Sequence, residues 1–171
     1  LTLHIDEKKI LQGFRSFQGV KRRLELKGEK HGVTCFDDYG HHPTEITVTL
    51  KALRSFAVEK RLVVLFQPHR FTRTRDFWNA FISCFDEADS VFITDVYGAG
   101  ESPIEGITGK DVAIAACAVF GKKVHFIPRA EVEETLSQKL RPFDVFLTIG
   151  AGDVAKVGSS ILEKYAQLCP K

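Results

Sequence analysis

The sequence has no methionine, no long apolar run and no strong excess of either charge. It opens on LTLHIDEKK without an initiator residue, which resembles the middle of a longer chain, so we expect a piece of a larger protein. No run reaches the roughly 18 apolar residues that a membrane helix needs, and no signal peptide opens the chain, so we expect no membrane partner. The net charge of +2 gives no argument for nucleic acid, because the single basic triplet Lys21–Arg23 is short enough to be a solvated run.

Cysteine is scarce and is not arranged in pairs. The four cysteines (Cys35, Cys84, Cys117 and Cys169) are scattered without a C-x-x-C motif, so neither a zinc ribbon nor a disulfide framework is indicated. We therefore expect reduced thiols in a cytoplasmic protein. The length of 171 residues fits one domain with a sizeable core and room for a short appendage.

Strand-like apolar runs alternate with helical ones along most of the chain. The predicted strands are Arg23–Lys27, Val33–Phe36, Arg61–Phe66, Val91–Thr94, Val124–Ile127 and Val145–Ile149, and the first two are joined by a hairpin turn at Gly28–Gly32. The predicted helices are one after an N-cap at Asp6 that ends near Gly19, one that begins at Pro43, and Asp76–Phe85, Lys110–Phe120, Glu131–Leu140 and Val154–Leu168. This alternation predicts an α/β fold with an open, doubly wound, mostly parallel sheet covered on both faces, with a short β-hairpin at its start.

In such a sheet, ligands bind at the carboxyl ends of the strands. The residues that follow the predicted strands read DDYGHHP, QPHRFTR, DVYGAGE, PR and GAGD. GAGD lacks the full dinucleotide-binding fingerprint, and Asp153 is expected to cap the last helix. The first two loops hold more polar groups than capping requires, so they are the candidate functional segments.

The loop DDYGHHP holds Asp37, Asp38, His41 and His42. One interpretation is a metal site in which His69 joins from the neighbouring strand, giving a metal-dependent hydrolase that uses Asp38, His41 and His69. The other is hydrogen bonding, with an aspartate binding a ribose and a histidine facing a carboxylate or phosphate. The residues alone leave both interpretations open.

The segment HRFTRTRD begins at His69 and holds three arginines directly after a predicted buried strand. Arg70 and Arg73 would share a helix face, and their planar forks suit a carboxylate or a phosphate. Arg75, which is next to Asp76, could have a structural role instead. All three arginines could also simply form a basic cluster on the surface. In DVYGAGE, Asp95 and Glu101 could receive an amine or an arginine positioned nearby, or they could be the exposed acids of a tight turn.

Five motifs together resemble a known family: FQGVKRR, DDYGHHPTE, FQPHRFTRTRD, DVYGAGE and LTIGAGD occur in the order found in the UDP-N-acetylmuramate–L-alanine ligases of the Mur ligase family. The resemblance covers nearly the whole chain. The ligase that recycles murein tripeptide shares GVKRRLE and a similar DD-x-x-HHPT turn, but is expected to lack PHRFTRT. It remains the close alternative.

The resemblance implies an enzyme of three domains, of which the central one carries the P-loop for ATP. This chain contains no G-x-x-G-K-[ST] motif, so residues 1–20 would be the last helix of the central domain and residues 21–171 the Rossmann-like C-terminal domain. We expect that this part alone is inactive and that its partners include its own N-terminal and central domains. The implied cofactors are ATP and Mg²⁺, the latter held mainly by the central domain.

The resemblance also implies a bacterial, cytoplasmic reaction and a role for each matching residue. ATP would phosphorylate UDP-N-acetylmuramate to an acyl phosphate, which the amine of L-alanine then attacks. Arg23 would reach the nucleotide phosphates and Asp38 the ribose, while the turn with Tyr39 and the candidate catalytic residue His41 would lie beside the amino acid and the acyl phosphate. The amino-acid carboxylate would be held by Arg70 and Arg73 with His69 alongside. His42 is expected to hydrogen-bond the start of its helix, and Asp95, Tyr97 and Glu101 to take supporting places.

Overall fold

The computed structural model describes residues 5–17 and 19–168. The strands are β1 (Glu25–Lys30), β2 (Val33–Asp38), β3 (Leu62–Phe66), β4 (Ser90–Ile93), β5 (Val124–Phe126) and β6 (Val145–Ile149). The helices are α1 (Glu7–Ser16), α2 (Pro43–Phe56), α3 (Phe71–Asp76), α4 (Trp78–Phe81), α5 (Gly109–Phe120), α6 (Val132–Lys139) and α7 (Val157–Leu168). Short 3₁₀ turns occupy Gly121–Lys123, Arg129–Glu131 and Asp153–Lys156.

The strands form one six-stranded sheet in the order β1-β2-β6-β3-β4-β5. The β1–β2 pair is antiparallel and the other neighbours are parallel. The prediction of an α/β fold with a mostly parallel sheet and an initial hairpin is therefore confirmed. β6 comes last in the chain but lies in the middle of the sheet, between β2 and β3.

The sheet separates two hydrophobic cores, because successive side chains of a strand point to opposite faces. On one face the buried residues include Ile46, Phe81 and Val112 from α2, α4 and α5. On the other they include Leu136 and Ile161 from α6 and α7. Each such side chain contributes about 1.5–3 kcal/mol when fully buried, so both layers of helices are held on the sheet mainly by apolar contact.

Cys35 and Cys84 are buried as small apolar side chains, and burial raises the pKa of each thiol to about 12. These two and Cys117 are free thiols, as predicted. Cys169 lies outside the described residues.

The hairpin differs from its prediction in the bounds of its first strand and in the position of its turn. β1 begins at Glu25 instead of Arg23 and runs through the predicted turn to Lys30, so that the chain reverses at His31 and Gly32. Gly28 lies inside the strand, where the register shifts and its φ is +143°. A glycine in a strand adopts such a conformation at a bulge, so Gly28 marks an irregular strand position and not the turn.

The predicted helix Asp76–Phe85 has the wrong bounds. α3 begins at Phe71, the helical conformation is interrupted at Phe77, and α4 ends at Phe81. Phe81 and Phe85 are both fully buried, as their apolar spacing indicates. The same spacing did not predict where the helix ends.

Two residues, Asp6 and Asp153, were predicted to cap the starts of helices. The side chain of Asp6 accepts a hydrogen bond from the backbone N–H of Lys8 at 2.9 Å, which confirms it as the N-cap of α1. Asp153 opens a 3₁₀ turn, and α7 begins only at Val157. Its carboxylate instead accepts from the side chains of Gln67 and Arg129, so the prediction that it caps the last helix is wrong.

α1 buries none of its residues. Its apolar side chains include Ile10 and Phe14, and Phe14 is 75% exposed. The helix therefore presents an apolar face that the rest of the described chain does not cover. Within residues 5–17 and 19–168, no helix has both the length and the apolar character needed to cross a membrane.

Candidate functional site

The parallel strands bring the predicted loops to one edge of the sheet. Asp38 of β2 and Phe66 of β3 both pair with Ile149 of β6, so the two strands end at the same level. Beyond these ends, the rings of His41 and His69 lie with centroids 5.9 Å apart. The ring of Tyr97 stacks on His69 at 5.6 Å and an angle of 13°, which adds the loop after β4. Three strand-end loops thus meet around His69.

Asp37 and Asp38, at the end of β2, are buried and hydrogen-bonded within the protein. Oδ1 of Asp38 accepts from the backbone N–H of Gly40 at 2.7 Å, and Oδ2 from that of Leu24 at 2.9 Å. Asp37 accepts from Nε of Arg22 at 3.1 Å and from the hydroxyl of Thr148 at 2.7 Å. The two carboxylates therefore fasten the segment before β1 to the centre of the sheet.

Arg22 and Arg23 are neighbours with opposite environments. Arg22 pairs with Asp37, donates to the carbonyl of Gly150 and lies over the ring of Tyr39 at 4.8 Å. The side chain of Arg23 is 55% exposed, and its ion pair with Glu45 is long at 4.0 Å. Of the two arginines, Arg23 is the one whose guanidinium can reach a ligand.

Hydrogen-bond partners fix the tautomer of each histidine in the site. Nδ1 of His41 lies 3.1 Å from the carbonyl oxygen of Tyr39; because a carbonyl only accepts, Nδ1 carries the proton and Nε2 of the neutral ring has a free lone pair. Nδ1 of His42 accepts from the backbone N–H of Thr44 at 3.3 Å. Nδ1 of His69 accepts from Nη1 of Arg73 at 3.1 Å. His41 is therefore the one of these three whose Nε2 can take a proton.

His42 and Glu45 together form a capping box at the start of α2. Oε2 of Glu45 accepts from the backbone N–H groups of His41 at 2.9 Å and His42 at 3.1 Å. Partial burial works against ionisation of Glu45, but these two N–H donors hold its pKa below the ordinary value. The expectation that His42 hydrogen-bonds the helix start is confirmed, and the box also fixes the backbone of His41.

Arg70 has an unusual backbone and an exposed side chain. It precedes α3 with φ +70°, a left-handed value that costs a residue with a side chain about 1–3 kcal/mol. Its N–H donates to the carbonyl of Tyr97 at 2.8 Å, which ties it to the loop after β4. Within the described residues its guanidinium makes no hydrogen bond, so this charge is available to a ligand.

His69 lies in a cationic environment. Partial burial and the neighbouring guanidinium groups of Arg73 and Arg70 lower its pKa from the usual value near 6.5. The neutral form is consistent with its acceptance of a hydrogen bond from Arg73. The positive charge at this strand end therefore belongs to the arginines and not to the imidazole.

Several contacts that complete the site were not predicted from the sequence. Thr72 donates to Glu101, and Gln67 donates to Asp153. A Cβ added to Gly152 would overlap both Gln67 and the ring of Tyr97, so only glycine fits against that ring. Asp95 accepts from the backbone N–H of Arg129 at 2.8 Å. No local pattern signals these contacts, because each joins loops that are distant in sequence.

The geometry gives no support to the hydrolase alternative. Among residues 5–17 and 19–168, no three His, Cys, Asp or Glu side chains are grouped so that they could hold a metal ion. Both oxygens of Asp38 already accept hydrogen bonds from backbone N–H groups, those of Leu24 and Gly40. The described residues do not fit a metal centre, and no step of the chemistry is assigned to a metal held by them.

Comparison with known proteins identifies the family. The family model described as "Mur ligase, glutamate ligase domain" matches residues 22–152. The chain belongs to the Mur ligase family. Among its curated relatives, the UDP-N-acetylmuramate–L-alanine ligase of Anaeromyxobacter dehalogenans is 48% identical over 151 residues, which cover 88% of this chain and 33% of the relative. This chain thus spans about a third of the length of the curated relatives that it matches.

Solved structures agree with this result. The UDP-N-acetylmuramate–alanine ligase from Thermotoga maritima matches 96% of this chain and 34% of its own, with a TM-score of 0.76 and 27% identity. A murein peptide ligase from Psychrobacter arcticus matches 94% of this chain and 33% of its own, with a TM-score of 0.72 at 19% identity, a level that supports the fold alone.

Proposed function

We propose that this chain is the C-terminal domain of an ATP-dependent ligase that joins L-alanine to UDP-N-acetylmuramate. The observation that carries the proposal is that DDYGHHPTE and PHRFTRTRD meet at the carboxyl edge of one sheet, in a chain 48% identical to a relative of that name. Residues 1–20 are proposed to belong to the preceding, ATP-binding domain. The lack of buried residues in α1 supports that division.

The proposed reaction has two steps. The lactyl carboxylate of UDP-N-acetylmuramate attacks the γ-phosphate of ATP, giving an acyl phosphate and ADP. The amine of L-alanine then attacks the acyl carbon, and the tetrahedral intermediate collapses to an amide with release of phosphate. The alanine ammonium must lose a proton before it can attack, and Nε2 of His41 is the free lone pair proposed to accept it.

The cationic end of β3 is proposed to bind the amino-acid carboxylate. Arg70 offers an exposed guanidinium, and the guanidinium of Arg73 is held by its hydrogen bond to His69. A planar guanidinium can bind both oxygens of a carboxylate, with about twice the strength of neutral hydrogen bonds. Neutral His69 adds a dipole without a third charge.

ATP is proposed to approach from the β2 side. Arg23 reaches the phosphates, since its side chain is 55% exposed. Asp38 binds the ribose through lone pairs not already used by the N–H groups of Leu24 and Gly40, so it has both a structural task and a binding task. Mg²⁺ would be held mainly by the ATP-binding domain. Closure of that domain over this edge of the sheet would exclude water from the acyl phosphate. The reaction is proposed to take place in the cytoplasm of a bacterium.

The test is phosphate release by the complete protein that carries this domain, supplied with ATP, Mg²⁺ and UDP-N-acetylmuramate. L-alanine is compared with the tripeptide L-Ala-γ-D-Glu-meso-diaminopimelate as the acceptor. Release that depends on L-alanine is the expected result. Release only with the tripeptide would assign the chain to the recycling ligase instead, and release with neither acceptor would overturn the proposal.

A further inference from the structure

Helix α3, which carries Arg73 and directly follows Arg70, has no side-chain N-cap of its own. Arg70 occupies the cap position but makes no side-chain hydrogen bond to the first turn. Arginine is a donor only, so it cannot accept from the free N–H groups of that turn. The helix is only six residues long, from Phe71 to Asp76, and cannot rely on propagation for its stability. Its start must be held from outside.

The missing acceptor comes from the loop after β4. Oε2 of Glu101 accepts from the backbone N–H of Thr72 at 3.0 Å, and Oε1 accepts from the hydroxyl of Thr72 at 2.7 Å. This one carboxylate therefore binds both donors of a first-turn residue, from 29 positions away in sequence. The hydrogen bonds to Thr72, with the charge of Arg70 nearby, hold the pKa of Glu101 below its ordinary value.

The same loop holds the strained residue from its other side. The N–H of Arg70 donates to the carbonyl of Tyr97, and the N–H of Tyr97 donates to the carbonyl of Pro68, each at 2.8 Å. Arg70 lies between these two attachments, the Tyr97 backbone before it and the Glu101 carboxylate after it. If the second attachment is lost, the left-handed backbone at Arg70 can relax, and its guanidinium moves with it.

We propose that Glu101 is a positioning residue that, through Thr72, holds Arg70 and Arg73 where the amino-acid carboxylate binds, without itself touching the amino acid. The inference rests on the proposed function for its substrate. Glu101 thus takes the place of a local cap and couples the loop after β4 to amino-acid recognition.

The first test is steady-state kinetics on the complete protein with Glu101→Gln and Thr72→Val. Each change removes part of the two-point contact, and each is expected to raise the KM for L-alanine about tenfold while the KM for ATP stays within about twofold. Thr72→Ser, which keeps the hydroxyl, is the matched control and should retain the wild-type KM. The double variant should cost less than the sum of the two single changes, because both changes act on the same contact.

Two kinetic results would overturn the inference. If Glu101→Gln raised the KM for L-alanine and Thr72→Val did not, Glu101 would be contacting the amino acid directly. If both variants lowered stability and shifted the KM values for ATP and L-alanine equally, the contact would be structural only.

The second test needs no activity, so it separates this inference from the proposed function. Amide hydrogen exchange on the complete protein should show the Thr72 N–H exchanging at least about tenfold faster in Glu101→Gln. The Thr94 N–H, which donates to the carbonyl of Phe66, should be unchanged. Unchanged exchange at Thr72 would contradict the inference, whatever the enzyme's substrate proves to be.

Discussion

The ends of β2 and β3 are equally rich in polar groups but use them in opposite ways. At the end of β2, Asp37 and Asp38 are 1% and 3% exposed, and all four carboxylate oxygens accept from protein donors. At the end of β3, Arg70 is exposed, has a strained backbone and makes no side-chain hydrogen bond within the described chain. One end has its hydrogen bonds satisfied by the protein, and the other leaves a charge for a ligand.

The comparison shows that one dense polar motif can contain both residues that hold the backbone and residues that are free to bind a ligand. The sequence alone does not distinguish the two kinds. In DDYGHHP, the aspartates hold the backbone while His41 keeps a free nitrogen. In PHRFTR, the strain and the unpaired charge lie on one residue, Arg70. Buried and satisfied groups should mainly control stability, and exposed and unpaired ones should mainly control binding. Asp38, which is proposed also to bind the ribose, should affect both. The predictions below test that division.

The largest expected effect is on stability, at the β2 end. Asp38→Ala leaves the N–H groups of Leu24 and Gly40 without their acceptor, and the free energy of unfolding should fall by about 2–4 kcal/mol. Urea denaturation measures it. Glu105→Ala, at an exposed carboxylate, is the control and should change stability by less than about 0.5 kcal/mol. An Asp38→Ala protein as stable as the control would remove the contrast between the two ends.

The next effect is on binding, at the β3 end. Arg70→Ala removes an unpaired guanidinium and should raise the KM for L-alanine by about 10–100-fold, which corresponds to about 1.5–3 kcal/mol for a charged hydrogen bond. Arg70→Lys keeps the charge but loses the planar guanidinium, so its KM for L-alanine should lie between those of the wild type and Arg70→Ala. Steady-state kinetics of the complete protein decides this. A rise in the KM for ATP of equal size would show that Arg70 does not recognise the amino acid selectively.

A smaller effect concerns the strain at the same residue. Glycine tolerates the left-handed backbone of position 70, so Arg70→Gly should be about 1 kcal/mol more stable than Arg70→Ala while both bind L-alanine equally poorly. Comparing the two urea midpoints separates strain from side-chain function. Equal stability would mean that the backbone relaxes once the guanidinium is gone.

The smallest effect is a dependence of stability on pH. His69 has a pKa below its unfolded value near 6.5, so the folded state binds a proton less readily than the unfolded state. The stability that neutral His69 contributes is therefore complete above its unfolded pKa. It is lost as the pH falls from there through the lower folded pKa. Between about pH 7.5 and pH 5.5, the wild type should lose more stability than His69→Gln. Parallel curves would show that neither burial nor the neighbouring arginines disfavour imidazolium at this position.

The sequence predicted the fold class, the order of strands and helices and the loops that meet, because these follow from apolar periodicity and local turn chemistry. It did not predict where α3 begins, because its cap is supplied by Glu101 from another loop. It misassigned Asp153 for the same reason: the partners Gln67 and Arg129 come from other strand ends. Local signals predict local contacts, and the contacts that complete this site are not local.

The central position of β6 determines when the site can exist during synthesis. β2 and β3 do not pair with each other; each pairs with β6, which ends at Ile149. Until the ribosome has released that strand, the loops after β2 and β3 belong to two unconnected pieces of sheet, and joining them requires the slow closure of long chain segments. A nascent chain that stops short of β6 thus carries every residue proposed to bind ATP and L-alanine and still has no binding site.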